Sequence, residues 1–394
     1  MLKREPLPTA PRLKINRQTR YQAARVVAPA VEEHFAEHLG AAHQQGGHQL
    51  ATAPERAAIE TIVDVAFWAS LRREEGHSTQ ISLAFLPPEQ AVQPMLFEQS
   101  LALTPASLTK LAPAVERPGI HLGVWGKGDD LYVWGATRII PSLCFVLEVI
   151  EPGLLVIKHR GLDVFGKFVN VAVLKGDEVK VIDEQSASLP DCPAVLTSLL
   201  GFTTPTSWNG SVDVLVQLAA SMRAHKRGGS LLVVPHGTQT WRDSIIHPIS
   251  YAIQPAFAGL ATVLQQEKQE QSTSYWQAKL RQAVEGVAGV TAVDGATIIT
   301  DQYELLAFGA KIRRPPDKPP VEQIVVTEPI VGGEPLIIHP AQNGGTRHLS
   351  AAQFVYDQRN AHALVASQDG RFTIFSWSPC EGMVHAHRVD SLLL

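Results

Sequence analysis

Apolar residues in the first half of the chain repeat with two different periods. In "PERAAIETIVDVAFWASLRREE" the positions Ile59, Ile62, Val63, Ala66, Phe67 and Ser70 recur at three- and four-residue spacing, and the charges Arg72 to Glu75 close the run. That spacing predicts one helix with a single buried stripe. Farther along the period drops to two: "HLGVWGKGDDLYVWGA" predicts two short strands joined by a Gly-Asp turn, and "GLLVIKHRG" and "KFVNVAVLKGDEVKVIDE" continue as short alternating strands. This module of mixed α and β pattern ends near Glu184.

The stretch "EQSASLPDCPAVLTSLLGFTTPTSWNG" mixes Pro, Ser and Thr around one short apolar run, which puts a domain boundary between about residues 185 and 210. Beyond it, "SVDVLVQLAASMRAHKRGG" predicts an amphipathic helix with Val212, Val214, Leu215, Leu218 and Met222 inward, stopped by Gly228 and Gly229. "SLLVVP" is a continuous apolar run, the mark of a strand buried on both faces. A helical stretch from Ala256 to Gln277 and two strands flanking a turn at Asp301 and Gln302 follow. The expected fold class is α/β, a mixed sheet with flanking helices, preceded by a smaller α+β domain. The expected division is a flexible basic arm over residues 1–30, a first domain over 31–190, a second over 205–380 and a tail over 381–394.

Length and composition narrow the picture. A chain of 394 residues exceeds one ordinary core and suits two or three domains. With 45% hydrophobic and 18% charged residues and a net charge of −4, it has the composition of a globular protein and lacks the basic field of a general nucleic-acid binder. Any anionic ligand must therefore be held by a local site. Cys144, Cys192 and Cys380 are far apart and show no CxxC spacing, so a disulfide framework or a zinc knuckle is not expected, and a reducing, cytoplasmic setting is. Lys3, Arg4, Arg12, Lys14, Arg17 and Arg20 precede any apolar stretch, unlike a secretory signal. The longest uncharged run, His247 to Leu264, is broken by Pro248, Pro255 and Gly259 and falls short of the about 20 apolar residues of a membrane span.

Two motifs carry candidate chemistry. In "VDGATIIT" the Asp294 carboxylate stands beside Gly295 and Ala296, so it could hold a divalent cation while a bulky ligand approaches the backbone. A tight Asp-Gly turn feeding a strand explains the same residues without function. In "GGTRHLSAAQFVYDQRN" the amides of Gly344 and Gly345, the Thr346 hydroxyl and the free N–H groups of a helix start converge where the helix dipole favours negative charge. Arg347 adds a bidentate phosphate donor and His348 a neutral donor that can also ligate metal. The plain alternative is a helix cap with an Arg and a His on solvent.

Read in order, "RGGSLLVVP", "DGA", "GTRH" and "ALVASQDG" turning into "RFTIFSW" resemble the diadenylate cyclase (DAC) domain, the N-terminal domain of the DNA-integrity scanning protein, over roughly Ser211 to Trp377. The region from Glu33 to Glu184, with "DVAFWASLRREEG" and "VWG", resembles the probable sensor domain DACNV that precedes such domains in some bacteria. The resemblance implies condensation of two ATP into cyclic di-AMP with release of two pyrophosphates. It also implies Mg²⁺ or Mn²⁺ as cofactor, a homodimer or larger homo-oligomer with facing DAC domains, and an unknown ligand for the sensor domain; no membrane or direct nucleic-acid partner is expected. Carried onto this chain, Asp294 holds the metal and assists the 3′-hydroxyl, Gly295 and Ala296 admit the nucleotide, and Gly345, Thr346, Arg347 and His348 grip the phosphates. Ser367 matches a family serine near the phosphates. The departure is Leu349, where the family motif has a second arginine; its spacing with Ala352 and Tyr356 makes it a candidate core contact. Lys311, Arg313, Arg314 and Arg371 are the cations that could replace the missing charge, and a nucleotide-binding module without catalysis is the rival reading.

Two further histidine patterns stand outside this scheme. "HFAEH", His34 to His38, matches the H-x-x-E-H spacing of one metallopeptidase group, with Glu37 as base. No third ligand in a supporting context follows, since His43 and His48 are expected in a loop. "HAH", His385 and His387, is expected in the solvated tail.

Overall fold

In a computed structural model of the chain, residues 20–44, 50–127, 130–162, 168–188, 191–200, 210–266 and 274–394 are described. They form two compact units, Met1–Ile182 with Leu394, and Asp183–Leu393.

The first unit opens with α1 (Gln22–Gln44) and α2 (Arg56–Ser70), followed by a two-residue ribbon, β1 (Arg73–Glu74) and β2 (His77–Ser78). Then come β3 (Ile81–Phe85), β4 (Met95–Ala102), α3 (Pro105–Val115), β5 (His121–Lys127), β6 (Asp130–Thr137), β7 (Phe145–Glu151), β8 (Leu154–Arg160), β9 (Phe168–Lys175) and β10 (Glu178–Val181). Eight of these strands make one sheet in the order β10-β9-β8-β7-β3-β5-β6-β4. Only β3 and β5 pair in parallel, and the parallel step needs a crossover, which β4 and α3 supply. Thr104 starts α3 with a reciprocal cap: its hydroxyl accepts the Ser107 N–H at 3.1 Å, and Ser107 Oγ accepts the Thr104 N–H at 3.0 Å. Ile81, Leu83 and Phe85 join Ile59, Ile62, Val63 and Ala66 of the predicted helical stripe in the main core. Ser82 and Ala84 point to the opposite face, as the period of two requires.

The expected arm needs correction. Its residues 1–19 lie outside the described ones, but α1 begins at Gln22 and buries Ala23, Ala24, Val27, Ala28 and Val31. Those positions already follow helical spacing, and the basic residues before them obscured it. His43 sits in the last turn of α1, where its Nδ1 contacts the Leu39 carbonyl at 2.6 Å, and not in a loop; His48 lies outside the described residues.

The second unit contains α4 (Ala194–Leu199), α5 (Gly210–Ala224), β11 (Gly229–Val234), β12 (Tyr251–Phe257), α6 (Gly259–Leu264) and α7 (Ser274–Val290). These are followed by β13 (Ala296–Thr300), β14 (Leu305–Ala310), β15 (Ile324–Thr327), β16 (Leu336–Ile338), α8 (Thr346–Asp357), β17 (His362–Ala366), β18 (Phe372–Ser378) and β19 (Met383–Arg388). The nine-stranded sheet runs β12-β14-β13-β11-β17-β18-β19-β15-β16, with β11–β13 and β15–β19 parallel. The class is α/β with a mixed sheet. Every residue of β11 is buried, as its unbroken apolar run predicts. α8 lays Ala351, Ala352, Phe354 and Val355 onto a core that includes Leu232, Ile298, Val365 and Phe375.

Three expectations change here. The first unit ends at Ile182 instead of 190, because Asp191 belongs to the second: its carboxylate accepts from Ser378 Oγ at 2.8 Å and from the Cys380 N–H at 3.0 Å. The stretch from Ala256 does not begin as helix. Tyr251–Phe257 is an edge strand, where Pro255 removes no interior ladder bond. The tail is also a strand, since β19 lies between β18 and β15 with Val384 and Ala386 in the core. Among the described residues, no helix is long and apolar enough to cross a membrane.

Candidate functional site

The register of four adjacent strands gathers the sequence motifs at one end of the second sheet. Ser230 is level with Ala296, Gly229 with Ala366, and Ala296 with Ala310. Consequently Asp294, Gly228, Ser367 and Lys311 leave the sheet on the same side. The first turn of α8 reaches this end through Arg347: a Cβ added to Gly228 would lie 3.0 Å from Arg347 Nη1 and 3.2 Å from the Ala366 carbonyl. Gly228 has φ +70°, so both its backbone and the adjacent guanidinium favour glycine.

Asp294 is exposed and its Oδ2 is 2.5 Å from Lys311 Nζ. The Lys311 hydrogen bond and charge hold the Asp294 carboxyl below its ordinary range, and Arg347 adds to this from the helix. Of the other cations considered as substitutes, Arg313 donates to the Asp243 carbonyl at 3.2 Å and Arg371 pairs with Asp369 at 3.4 Å.

Gly295 has φ +115°, and a Cβ there would meet the Gly309 carbonyl carbon at 2.5 Å. The neighbouring strand β14 thus accounts for this glycine, and Ala296 is a buried first residue of β13. Gly345 is the N-cap of α8 with nothing within 4 Å of an added Cβ, and Thr346 is exposed beside it. Ser367 is half-buried and its N–H donates to the Arg371 carbonyl at 2.9 Å across the β17–β18 turn.

His348 is placed differently. It is buried, with Nε2 3.3 Å from Thr373 Oγ1 and its Nδ1 side against Gly344, where a Cβ would come within 2.7 Å. Burial lowers its pKa and keeps it neutral. The imidazole faces the sheet, while Arg347 faces the strand ends. Leu349, the candidate core contact, is 37% exposed instead. The helix turns that position outward, away from the buried pair Ala351 and Ala352.

Sequence reasoning missed Gly228 as a site residue, reading it as a helix stop. It also missed Arg388, whose Nε and Nη2 donate to Asn343 Oδ1 at 3.2 and 3.0 Å and anchor the turn before α8. Only pairing across the sheet reveals either role. The second histidine pair is structural: His387 is buried, contacts Thr327 Oγ1 at 2.8 Å and Ser376 Oγ at 3.4 Å, and burial lowers its pKa to about 3.

Against known families, residues 48–138 match the family described as "Probable sensor domain DACNV". No curated protein matches the chain. Among solved structures, the chain is similar to a hypothetical membrane spanning protein from Bacillus cereus, at 13% identity over 49% of this chain and 70% of that one, with a TM-score of 0.27.

Proposed function

We propose that the second unit is a diadenylate cyclase domain governed by the first unit, condensing two ATP into cyclic di-AMP and two pyrophosphates in a cytoplasmic setting. One observation carries the reading: the register of β14, β13, β11 and β17 brings Asp294, Lys311, Gly228 and Ser367 to one end of the sheet, and Arg347, from a motif far off in the chain, lies against Gly228 there. Arg347 donates to phosphate oxygens, and the Thr346 hydroxyl and the open amides after Gly345 add neutral donors. His348, neutral and directed at Thr373, positions the first turn of α8.

Asp294 is the residue to hold Mg²⁺ or Mn²⁺. A single exposed carboxylate suits a hard ion that takes one or two protein carboxylates and fills its other positions with phosphate oxygens and water, and Lys311, an exposed partner of Oδ2, would give way to it. Bound there, the ion supplies charge neutralisation and a more acidic 3′-hydroxyl. The chain itself contributes orientation. Each 3′-oxygen loses its proton and attacks the α-phosphorus of the facing ATP as pyrophosphate leaves, so the reading requires a homodimer or larger homo-oligomer.

A second reading, nucleotide binding without turnover, is favoured by Leu349, exposed on the first turn where the family motif has arginine. Incubation with ATP and Mn²⁺ or Mg²⁺, followed by chromatography, separates the two. Cyclic di-AMP is expected from the wild type and not from Asp294→Asn. Absence of product at concentrations that support dimers overturns the cyclase reading, and equal yield from Asp294→Asn overturns the site. Thermal stabilisation by ATP plus metal without product is the signature of the second reading.

A further inference from the structure

We propose that Lys311 is a second phosphate-binding cation of the site in the second unit, acting beside Arg347. The inference rests on the nucleotide reading of that site and adds a residue that the sequence motifs do not contain.

The first turn of α8 brings a single cation to the strand ends. Arg347 lies against Gly228, whereas Leu349 on the same turn is apolar and 37% exposed. A triphosphate carries more negative charge than one guanidinium and one divalent ion neutralise, and phosphoryl transfer gains from further cations fixed where that charge lies. Lys311 meets this need by its place in the fold. It directly follows β14, whose last residue Ala310 is level with Ala296, and its Nζ is 2.5 Å from Asp294 Oδ2. By contrast, Arg313 donates to the Asp243 carbonyl and Arg371 is neutralised by Asp369.

The backbone of Lys311 is fixed and its side chain is not. Its carbonyl accepts the Ile246 N–H at 2.8 Å, and the Arg313 N–H donates to the Ser244 carbonyl at 2.9 Å, so the main chain is held on both sides of Ile312, which packs against the core. The Lys311 side chain is 54% exposed, and an ammonium on a flexible stem reorients without moving that backbone. An ion pair this exposed is worth little to folding, so exchanging the Asp294 carboxylate for a phosphate oxygen costs little. When Asp294 takes a hard cation, Lys311 loses its counter-charge and the exchange is favoured. Arg371 keeps Asp369 throughout and gains nothing from the same event. In the free protein Asp294 thus holds at the site the cation that the phosphates take up.

The test is a double-mutant cycle on the full chain, with ATP titrated calorimetrically in EDTA so that affinity is read without metal or turnover. Asp294→Asn removes the carboxylate that Lys311 otherwise screens. In that background Lys311→Met should weaken ATP binding by about tenfold, the scale of one hydrogen bond to a charged group, and Lys311→Arg should not. A loss seen only where Asp294 is present overturns the inference, because Lys311 would then merely screen the carboxylate. Affinity unchanged by Lys311→Met in both backgrounds also overturns it, and leaves the nucleotide site standing. No ATP binding by wild type or by Asp294→Asn overturns the nucleotide reading itself, and this inference with it.

Discussion

Lys158 in the first unit and Lys311 in the second each hold a carboxylate at ion-pair distance, 2.6 Å to Glu148 and 2.5 Å to Asp294, yet their settings are opposite. The Lys158 and Glu148 side chains are 11% and 22% exposed, on the sheet face away from the helices, with His121 and Ser82 joined at 2.7 Å beside them. Those of Lys311 and Asp294 are 54% and 85% exposed at strand ends. Water screens the second pair and not the first. The buried pair is therefore part of the architecture, while the exposed pair contributes little to folding and its carboxylate is available to a ligand.

The largest effect expected from this contrast is on folding. Lys158→Ala leaves Glu148 charged and enclosed, and should cost about 3–5 kcal/mol in denaturant unfolding; a cost below about 1 kcal/mol would show the pair to be as screened as an exposed one. Next, on the proposed cyclase reading, Arg347→Ala should lower cyclic di-AMP formation by about 10³-fold, as for a guanidinium that stabilises phosphoryl-transfer charge. Its melting temperature should stay at the wild-type value, and a large drop would make Arg347 structural instead.

The dependence on pH is smaller and tests both units together. Burial lowers the pKa of His121 to about 4 and of His387 to about 3. The unfolded chain takes up these protons near the ordinary value of about 6.5, before the folded one does. Stability from these groups is thus complete above about 6.5 and falls as pH drops towards 4 and 3, by about 1.4 kcal/mol per pH unit for each. Melting between pH 7 and 4 should show this decline, and His387→Gln should flatten it; an unchanged slope would remove His387 as a cause. The smallest effect is expected of Lys311→Met, within about 1 kcal/mol of wild type in stability.

Much of this was legible in one dimension. The stripe Ile59, Ile62, Val63 and Ala66 became the buried face of α2, and "SLLVVP" became β11 with both faces covered. Local periodicity sufficed because each element meets its core through its own repeat. The strand β19 escaped that logic. "HAHR" alternates too briefly to announce a strand, and only pairing with β18 and β15 makes it one.

The same division holds at the site. The local sequence determined that Thr346, Arg347 and His348 stand at a helix start, since glycines and a following helical pattern suffice for that. Their directions were decided by the tertiary structure. Successive helical residues diverge by about 100°, so a sheet on one side takes His348 to Thr373 and leaves Arg347 to the strand ends beside Gly228. Likewise, "HFAEH" determined a helical histidine pair, while His159 of β8 meets those rings only through the packing of the helix on the sheet. Contacts between residues distant in the chain depend on the register and packing of whole elements, and no local pattern encodes those.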